Sequence, residues 1–274
     1  MTAIKNTGPV PQMGFGTWTH VGDKARQIVS WALETGYRHI DTAEAYGNEE
    51  FVGQAIAESG IKRDEIFLTT KVAPTSYAPG KIMGHVKTSL EKLRVEKVEL
   101  LLLHWPSPKD QYDMNDYIKQ FAEVYDAGLT KHIGVSNFTK KYLDAAIRIL
   151  GDRPISTNQC EIHVLNQNHI IVDYCKSKNI PLTAYSPLAR GALTDNPTLM
   201  AIGKKHNCAT NQVALAFLLA EGYVVIPSSS SKVRMKANFD AKDVVLSADD
   251  IGAIRELDEG RRLVDGSWAP VWDT

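Results

Sequence analysis

The twelve residues Gly36–Gly47, with the sequence GYRHIDTAEAYG, decide how the whole chain is interpreted. Tyr37–Ile40 is predicted as a short apolar strand that ends at Asp41, and Tyr46 follows on the next loop, just before a predicted helix. A strand-end carboxylate and a phenol on the following loop can converge on one pocket, because α/β barrels gather their chemistry at the carboxyl ends of parallel strands. The structural alternative is that Asp41 caps the helix and Tyr46 packs a turn, which for this stretch alone is the commoner case.

The composition is that of an ordinary globular protein and narrows the possible functions. The chain has 274 residues, 43% of them hydrophobic, and a formal net charge of −1, so no global field recruits nucleic acid or a membrane surface. It has no apolar run of the ~20 residues that span a bilayer, and its first residues lack the layout of a signal peptide. The three cysteines cannot all pair and lack metal-site spacing. We therefore expect a cytoplasmic protein with reduced thiols.

Strand-like and helical segments alternate along the whole chain. A short apolar segment around Phe15 is followed by seven predicted strands: Tyr37–Asp41, Ile66–Val72, Val98–His104, His132–Ser136, Ser156–Ile162, Pro181–Tyr185 and Tyr223–Pro227. Predicted helices separate nearly all of them, which is typical of right-handed crossovers and a parallel sheet. Eight such units without a linker predict an α/β fold, a single-domain (β/α)8 TIM barrel over residues 1–274. The alternative is an open doubly wound sheet, but no GxGxxG follows the first strand, so a Rossmann site is not supported.

Nearly every predicted strand ends in a polar or titratable residue. In chain order these strand ends carry Asp41, Lys71, His104, Ser136 with Asn137, Asn158 with Gln159, Tyr185 with Ser186, and the serine run Ser228–Ser231. These groups follow the apolar runs rather than precede them. In a barrel they would therefore lie on the rim that carries the active site.

Lys71 is the least ordinary of these residues. A lysine at the end of a buried strand must be paired or have a shifted pKa, because an isolated buried ammonium is very costly, and Asp41 on the adjacent strand is the natural partner. If Tyr46 leans over Lys71, we expect the ammonium to lower the phenol pKa from ~10, which makes it a usable general acid. His104 would donate a hydrogen bond that orients a substrate oxygen. Each residue alone has a structural explanation, as an ion pair or a core histidine, but together on neighbouring strand ends they indicate catalysis.

A family resemblance extends over Met13–Asp273. Its motifs are GTW at Gly16–Trp18, GYRHIDTAEAYGNEEFVG at Gly36–Gly53, LLLHWP at Leu101–Pro106, IGVSNF at Ile133–Phe138, NQCE at Asn158–Glu161, YSPLARG at Tyr185–Gly191 and IPSSSSKVRMKANF at Ile226–Phe239. With these blocks in order and similarly spaced, the sequence resembles the aldo-keto reductases, especially compact bacterial members such as diketogluconate reductases. The resemblance implies a barrel that binds NADPH across its carboxyl-terminal rim without a Rossmann fold. It also implies a catalytic tetrad of Asp41, Tyr46, Lys71 and His104.

The resemblance further implies which residues contact the cofactor. Ser136, Asn137 and Gln159 would hold the carboxamide, and Tyr185 would stack on the nicotinamide ring. The other implied contacts are Gly16, Thr17, Trp18, Asp41, Ser186, Leu188, Ile226, Ser228, Ser229, Ser231, Arg234 and Asn238. The serine run Ser228–Ser231, just before the predicted helix near Lys232–Phe239, would meet the adenosine phosphate, and Arg234 would bind the 2′-phosphate. The structural alternative for four serines is a polar loop.

Two departures from the family pattern bear on the choice of cofactor. Ser228 stands where members often carry a lysine, and Ala237 stands where a glutamate often faces the adenine. Arg234 and Asn238 are at their expected places. We therefore expect NADPH to bind better than NADH by a modest margin.

The substrate end is predicted from aromatic residues and the short tail. The predicted substrate contacts are Trp18, Tyr46, His104 and Trp105, with Trp268 or Trp272 as further candidates. Because the tail after Leu257 is short, we expect an open pocket for small polar carbonyls, and the resemblance suggests methylglyoxal, diketogluconate and simple aldehydes. The predicted protein is a monomeric, NADPH-dependent aldehyde and ketone reductase without a metal. The alternatives are a cofactor-binding regulatory subunit without turnover and a metal-dependent hydrolase, for which no His/Asp cluster has ligand spacing.

Overall fold

The computed structural model describes residues 8–273 and contains one eight-stranded parallel sheet, with neighbouring strands in sequence order. The strands are β1 (Phe15–Gly16), β2 (His39–Asp41), β3 (Phe67–Val72), β4 (Val98–Leu103), β5 (Thr130–Ser136), β6 (Ile155–Glu161), β7 (Leu182–Tyr185) and β8 (Val224–Val225). Backbone hydrogen bonds close the ring, from Gly14 N to Val225 O at 2.9 Å and from Gly16 N to Pro227 O at 3.1 Å. The predicted (β/α)8 barrel is thus confirmed.

Helices cover the outside of the barrel. Within the described residues they are α1 (Gly22–Thr35), α2 (Glu49–Glu58), α3 (Ile82–Leu93), α4 (Met114–Asp126), α5 (Lys140–Leu150), α6 (His169–Ser177), α7 (Pro197–His206), α8 (Thr210–Ala220), α9 (Lys232–Asp240) and α10 (Ala248–Arg255). Two helices lie between β7 and β8, and two follow β8. Over residues 8–273, no helix combines the length and the apolar content that a membrane crossing requires.

The core has an outer layer and an inner layer, and strand β4 shows why. Leu101 and Leu103 belong to the large cluster between strands and helices, whereas Leu100 and Leu102 belong to a separate small cluster with Val224 of β8. Successive side chains of a strand point to opposite faces, so the second pair points into the barrel. Lys71 lies opposite Leu102 in the register of the parallel ladder. Its side chain is therefore directed into the barrel.

Two predicted strands are shorter in the structure by two residues or more. Strand β2 begins at His39 rather than Tyr37, and the hydroxyl of the buried Tyr37 donates to Met235 O of α9. Strand β8 covers only Val224–Val225, because Pro227 has no N–H with which to extend the ladder. The following residues lead directly onto the carboxyl-terminal rim.

Gly53 on α2 lies against the end of α3. A Cβ built at this position would approach the carbonyl carbon and oxygen of Leu93 to 2.6 Å. The contact is with backbone, which has little freedom to move away. The two helices can therefore pack this closely only with glycine here.

We predict that Gly53→Ala lowers the free energy of unfolding by about 1–3 kcal/mol, as overpacking of a core does. Gly84→Ala on α3 is the matched control, because its Cβ would meet nothing within 4 Å and the position is exposed. The control should stabilise the protein by up to about 1 kcal/mol, since alanine favours a helix. Urea unfolding of both variants measures the difference, and equal effects at the two positions would contradict the packing analysis.

Candidate active site

A cavity of about 950 Å³ opens at the carboxyl ends of the barrel strands, near the upper end of the size range of ligand pockets. Strand ends contribute Gly16, Asp41, His104, Ser136, Gln159, Tyr185 and Ile226. The loops add Trp18, Tyr46, Trp105, Asn137, Ser186, Leu188, Ser228 and Ser229, and the first turn of α9 adds Arg234. Strand-end residues that are up to 210 positions apart in the sequence, from Gly16 to Ile226, thus surround one cavity.

The ammonium of Lys71 lies at the centre of the polar groups. Its Nζ donates to Asp41 Oδ1 at 2.5 Å, to Thr42 O at 2.9 Å and to Tyr46 Oη at 3.3 Å. The other carboxylate oxygen of Asp41 accepts from Gln159 Nε2 at 2.8 Å. Lys71 and Asp41 are both buried, so each charge is balanced by the other and by fixed dipoles.

The pKa of Lys71 is raised above its ordinary value. Burial on its own disfavours the ammonium, but the negative charge of Asp41, with smaller help from Tyr46, outweighs this effect. The lysine therefore remains charged through the neutral range. It supplies a fixed positive charge beside Tyr46.

The predicted lowering of the Tyr46 pKa is wrong. Burial raises the pKa of the phenol above its ordinary value, and Lys71 opposes this rise without cancelling it, while Asp41 adds to it. The sequence showed the lysine but not the desolvation around the ring, which is the larger effect. Tyr46 is therefore protonated at neutral pH, which is the state that a proton donor needs.

His104 is a neutral imidazole next to Tyr46. Burial, followed by the charge of Lys71, holds the pKa of His104 well below its ordinary value. Its ring meets that of Tyr46 edge to face, with centroids 5.5 Å apart. A neutral imidazole carries one N–H donor, so two uncharged donors lie side by side next to a buried cation.

An amide network lines the wall that β5, β6 and β7 form. Asn137 has a left-handed φ of 62°, which asparagine tolerates, and its Nδ2 donates to His104 O at 3.1 Å and to Ser136 Oγ at 3.0 Å. The hydroxyl of Tyr185 donates to Asn137 Oδ1 at 2.9 Å, and Ser136 Oγ donates to Gln159 O at 2.9 Å. The four residues that the resemblance assigned to the nicotinamide end therefore form one connected group.

The serine run divides between two roles. Ser228, Ser229 and Ser230 line the cavity together with Arg234. Ser231 instead caps α9, where its Oγ accepts from Arg234 N. The cavity therefore has hydroxyls next to a helix N-terminus and a guanidinium, a combination suited to an anion.

Two other residues predicted to contact the cofactor lie outside the lining of the cavity. Thr17 is buried, and its hydroxyl donates to Asp41 O at 3.0 Å. Asn238 is 3% exposed, and its Oδ1 accepts from Asn211 Nδ2 at 2.5 Å. Asn238 lies four residues, about one helical turn, beyond Arg234 and faces α8, so its partner is a protein side chain.

Three charged or titratable residues of the cavity were not predicted from the sequence: His20, Arg190 and the tail residue Asp265. His20 Nε2 lies 2.9 Å from Ser228 Oγ and ties the loop after β1 to the loop after β8. The guanidinium of Arg190, after β7, lies 4.8 Å from the centre of the Trp18 ring. His20 follows the GTW motif by two residues and Arg190 is inside YSPLARG, so position relative to a motif was the available signal.

The carboxyl-terminal tail forms part of the cavity wall. Leu263 and Val264 line the cavity, and their N–H groups donate to the carboxylate of Glu161 at 2.6 and 2.8 Å. Trp268 also lines the cavity and is 50% exposed. Trp272 instead packs edge to face against the ring of Trp105.

The part of the chain that the structure describes contains no set of side chains suited to bind a metal ion. Among residues 8–273, no group of three or more His, Cys, Asp or Glu side chains is placed to hold a metal ion. The cysteines Cys160, Cys175 and Cys208 are free thiols. The metal-dependent hydrolase considered from the sequence therefore gains no support.

The chain belongs to the aldo/keto reductase family, because residues 12–259 match the model of that family. It is 42% identical over 265 residues to the methylglyoxal reductase DkgB of Salmonella typhi, a match that covers 96% of this chain and 99% of the relative. A crystal structure described provisionally as a 2,5-diketo-D-gluconic acid reductase B aligns with a TM-score of 0.93 and 37% identity, over 100% of this chain and 98% of the other.

A second crystal structure, of the aldo-keto reductase MGS-M4 from a Medee basin deep-sea metagenome library, gives a TM-score of 0.89 and 38% identity. The alignment covers 98% of this chain and 99% of the MGS-M4 chain. The chain is thus an oxidoreductase of a family that reduces carbonyl groups and generally uses NAD(P)H.

We predict that Asp41→Asn lowers the free energy of unfolding by about 3–5 kcal/mol, because it leaves the Lys71 ammonium buried without a counter-charge. The double variant Asp41→Asn/Lys71→Met should lose less than the sum of the two single changes. Urea unfolding in a double-mutant cycle measures this coupling. Glu58→Gln, which removes one partner of an exposed ion pair with Arg26, is the control and should cost at most about 1 kcal/mol. Strict additivity of the Asp41 and Lys71 changes would refute the pairing.

Proposed function

We propose that the chain catalyses the NADPH-dependent reduction of small aldehydes and ketones to alcohols, with Tyr46 as the proton donor. The observation that carries this proposal is the position of Tyr46 Oη, 3.3 Å from Lys71 Nζ and next to the neutral ring of His104. These groups supply a proton, a second hydrogen-bond donor and a fixed positive charge at one edge of the cavity.

The proton chemistry follows from this geometry. The hydroxyl of Tyr46 and the N–H of His104 bind the carbonyl oxygen of the substrate and polarise it. As negative charge develops on that oxygen, Tyr46 transfers its proton to it. The phenolate that remains is stabilised by the ammonium of Lys71, whose own charge is held in place by Asp41.

The residues around the cavity suit a nicotinamide dinucleotide. The network of Ser136, Asn137 and Gln159 offers amide and hydroxyl groups to a carboxamide, and Tyr185 would stack on the ring. Ser228–Ser230 and Arg234 would hold a phosphate. When bound, NADPH supplies the hydride that reduces the carbonyl carbon.

We infer a moderate preference for NADPH over NADH. Arg234 lines the cavity and is exposed, so its guanidinium is accessible to a 2′-phosphate. Ser228, at the place where the family often has a lysine, adds no charge and is already hydrogen bonded to His20. One guanidinium therefore carries most of the discrimination.

The proposed substrates are small polar carbonyl compounds such as methylglyoxal, with diketogluconate as a further candidate. The methylglyoxal reductase activity in the name of the Salmonella typhi relative supports this class. Trp18 and Trp105 line the cavity with the tail residues Leu263 and Trp268, which favours a compact substrate. We also propose that the protein is a monomer, since one chain supplies every group of the site. The proposed location is the cytoplasm.

Mixing the purified protein with NADPH and methylglyoxal, while following the absorbance of the reduced nicotinamide, tests the proposal. We expect NADPH to be oxidised only when both protein and carbonyl are present. Tight binding of NADPH without oxidation by methylglyoxal, diketogluconate or simple aldehydes would overturn the proposal and favour a regulatory subunit.

We predict that Tyr46→Phe lowers kcat by about 10²–10⁴-fold, which is the usual contribution of a positioned general acid, and leaves the Kd of NADPH within about twofold. Steady-state kinetics and cofactor fluorescence measure the two quantities. Tyr142→Phe is the matched control, since that phenol bonds Asp110 away from the cavity. Near-normal turnover by Tyr46→Phe would contradict the mechanism.

We predict that Arg234→Ala weakens NADPH binding by about tenfold or more and NADH binding by less than about twofold, because the lost hydrogen bonds are charge-assisted. Lys236→Ala is the control, because it also removes a positive charge from α9. The ammonium of Lys236 is paired with Asp240 at 2.6 Å. Fluorescence titration with both cofactors gives the comparison. Equal weakening of NADPH and NADH would show that Arg234 does not bind the 2′-phosphate.

A further inference from the structure

Glu44 opens the short 3₁₀ turn Glu44–Tyr46 that carries Tyr46, and its carboxylate accepts three hydrogen bonds from the other side of the site. Ala73 N donates to Oε2 at 3.0 Å, Ser76 Oγ lies 3.1 Å from both oxygens, and His85 Nδ1 lies 2.5 Å from Oε1. The side chain of Glu44 is 19% exposed and Ser76 is buried. Three donors on one largely buried carboxylate make a well-defined attachment.

These contacts join the two segments whose side chains meet in the site. Glu44 precedes Tyr46 by two residues, and Ala73 follows Lys71 by two residues. The backbone of the 3₁₀ turn is otherwise held locally, by Tyr46 N to Ala43 O at 3.0 Å and Gly47 N to Glu44 O at 3.3 Å. The carboxylate of Glu44 therefore connects the turn to the segment after β3, separately from the ion pair of Lys71 and Asp41.

The combination of serine, histidine and glutamate does not form a nucleophilic triad. The same nitrogen of His85, Nδ1, faces both Ser76 Oγ and Glu44 Oε1, so the imidazole cannot pass a proton from one to the other through its two nitrogens. None of these three residues belongs to the described lining of the cavity. Their arrangement suits support of the neighbouring turn rather than a second reaction.

We propose that Glu44 is a positioning residue for the proton donor, fixing the turn that carries Tyr46 against the segment after Lys71 and so holding Tyr46 Oη within reach of Lys71 Nζ. This inference rests on the proposed function of Tyr46. A displacement of about 1 Å in such a site costs on the order of 10²-fold in rate. Loss of the Glu44 contacts, two residues from Tyr46, would therefore lower the rate even if the turn moved only slightly. The residues proposed to hold the carboxamide and the phosphate lie on or after β5 to β8.

Glu44→Gln tests the proposal with little change in shape. A carboxamide has one acceptor oxygen and one N–H₂ donor, so it cannot accept from Ala73 N and from His85 at once. We expect kcat for methylglyoxal to fall about 10- to 100-fold, with the Kd of NADPH within about twofold. Glu44→Asp, which keeps the charge, should restore part of the rate. Glu50→Gln is the control, because that exposed carboxylate on α2 contacts only Gln54 among the hydrogen bonds of the described side chains.

A measurement without substrate separates this inference from the proposed reaction. In protein labelled with ¹³Cζ-tyrosine, the Tyr46 resonance is identified by its absence in Tyr46→Phe. We expect Glu44→Gln to shift this resonance and Glu50→Gln to leave it in place. A folded Glu44→Gln protein with an unchanged Tyr46 resonance and unchanged kcat would overturn the proposal. If the unmodified protein reduced no carbonyl, the proposed reaction would fail, while the resonance would still decide the positioning role.

Ser76→Ala serves as a second variant if Glu44→Gln does not fold. It removes one of the three donors and leaves Ala73 N and His85 in place. We expect a smaller shift of the Tyr46 resonance and a loss of about threefold in kcat. An unchanged resonance together with unchanged kcat in Ser76→Ala would also overturn the proposal.

Discussion

The ion pair of Lys71 and Asp41 inside the barrel is the interaction on which the site depends. An ammonium buried inside the barrel is tolerated only with a counter-charge and further acceptors, and Asp41, Thr42 O and Tyr46 Oη supply them. The parallel register places Asp41 opposite Thr69, two residues before Lys71 on the adjacent strand. The pair therefore requires β2 and β3 to be neighbours in this register, and that requirement couples the fold to the chemistry.

Burial of the same groups determines their protonation. It keeps Tyr46 protonated and His104 uncharged, while Asp41 keeps Lys71 charged against the same effect. The result is two neutral donors beside one fixed cation, which suits the stabilisation of a developing negative charge on a substrate oxygen. Two side chains outside this centre position it. Gln159 donates a hydrogen bond to Asp41, and Glu44, in the turn of Tyr46, accepts one from Ala73 N.

The sequence predicted the barrel and the polar residues at its carboxyl-terminal rim because both follow a regular pattern. Apolar runs alternate with helical periodicity, and polar residues such as Asp41 and His104 come directly after the runs. The pKa of Tyr46 was predicted in the wrong direction, since desolvation depends on neighbours from several strands. His20, Arg190 and the tail residue Leu263 were missed because loops have no period that shows which way a side chain points. Asn238, which the resemblance places at the cofactor, accepts a hydrogen bond from Asn211 of α8, and its contact with the cofactor stays a prediction.

Hydride transfer from the cofactor to the carbonyl carbon is the central claim, and isotope labelling tests it most directly. The protein is incubated with methylglyoxal and NADPH that carries deuterium at the transferable position of C4, and the alcohol is examined by mass spectrometry. We predict one deuterium on the carbinol carbon for each NADPH oxidised. An alcohol without deuterium, or carbonyl consumption without oxidation of NADPH, would contradict a reductase built on Tyr46 and Lys71.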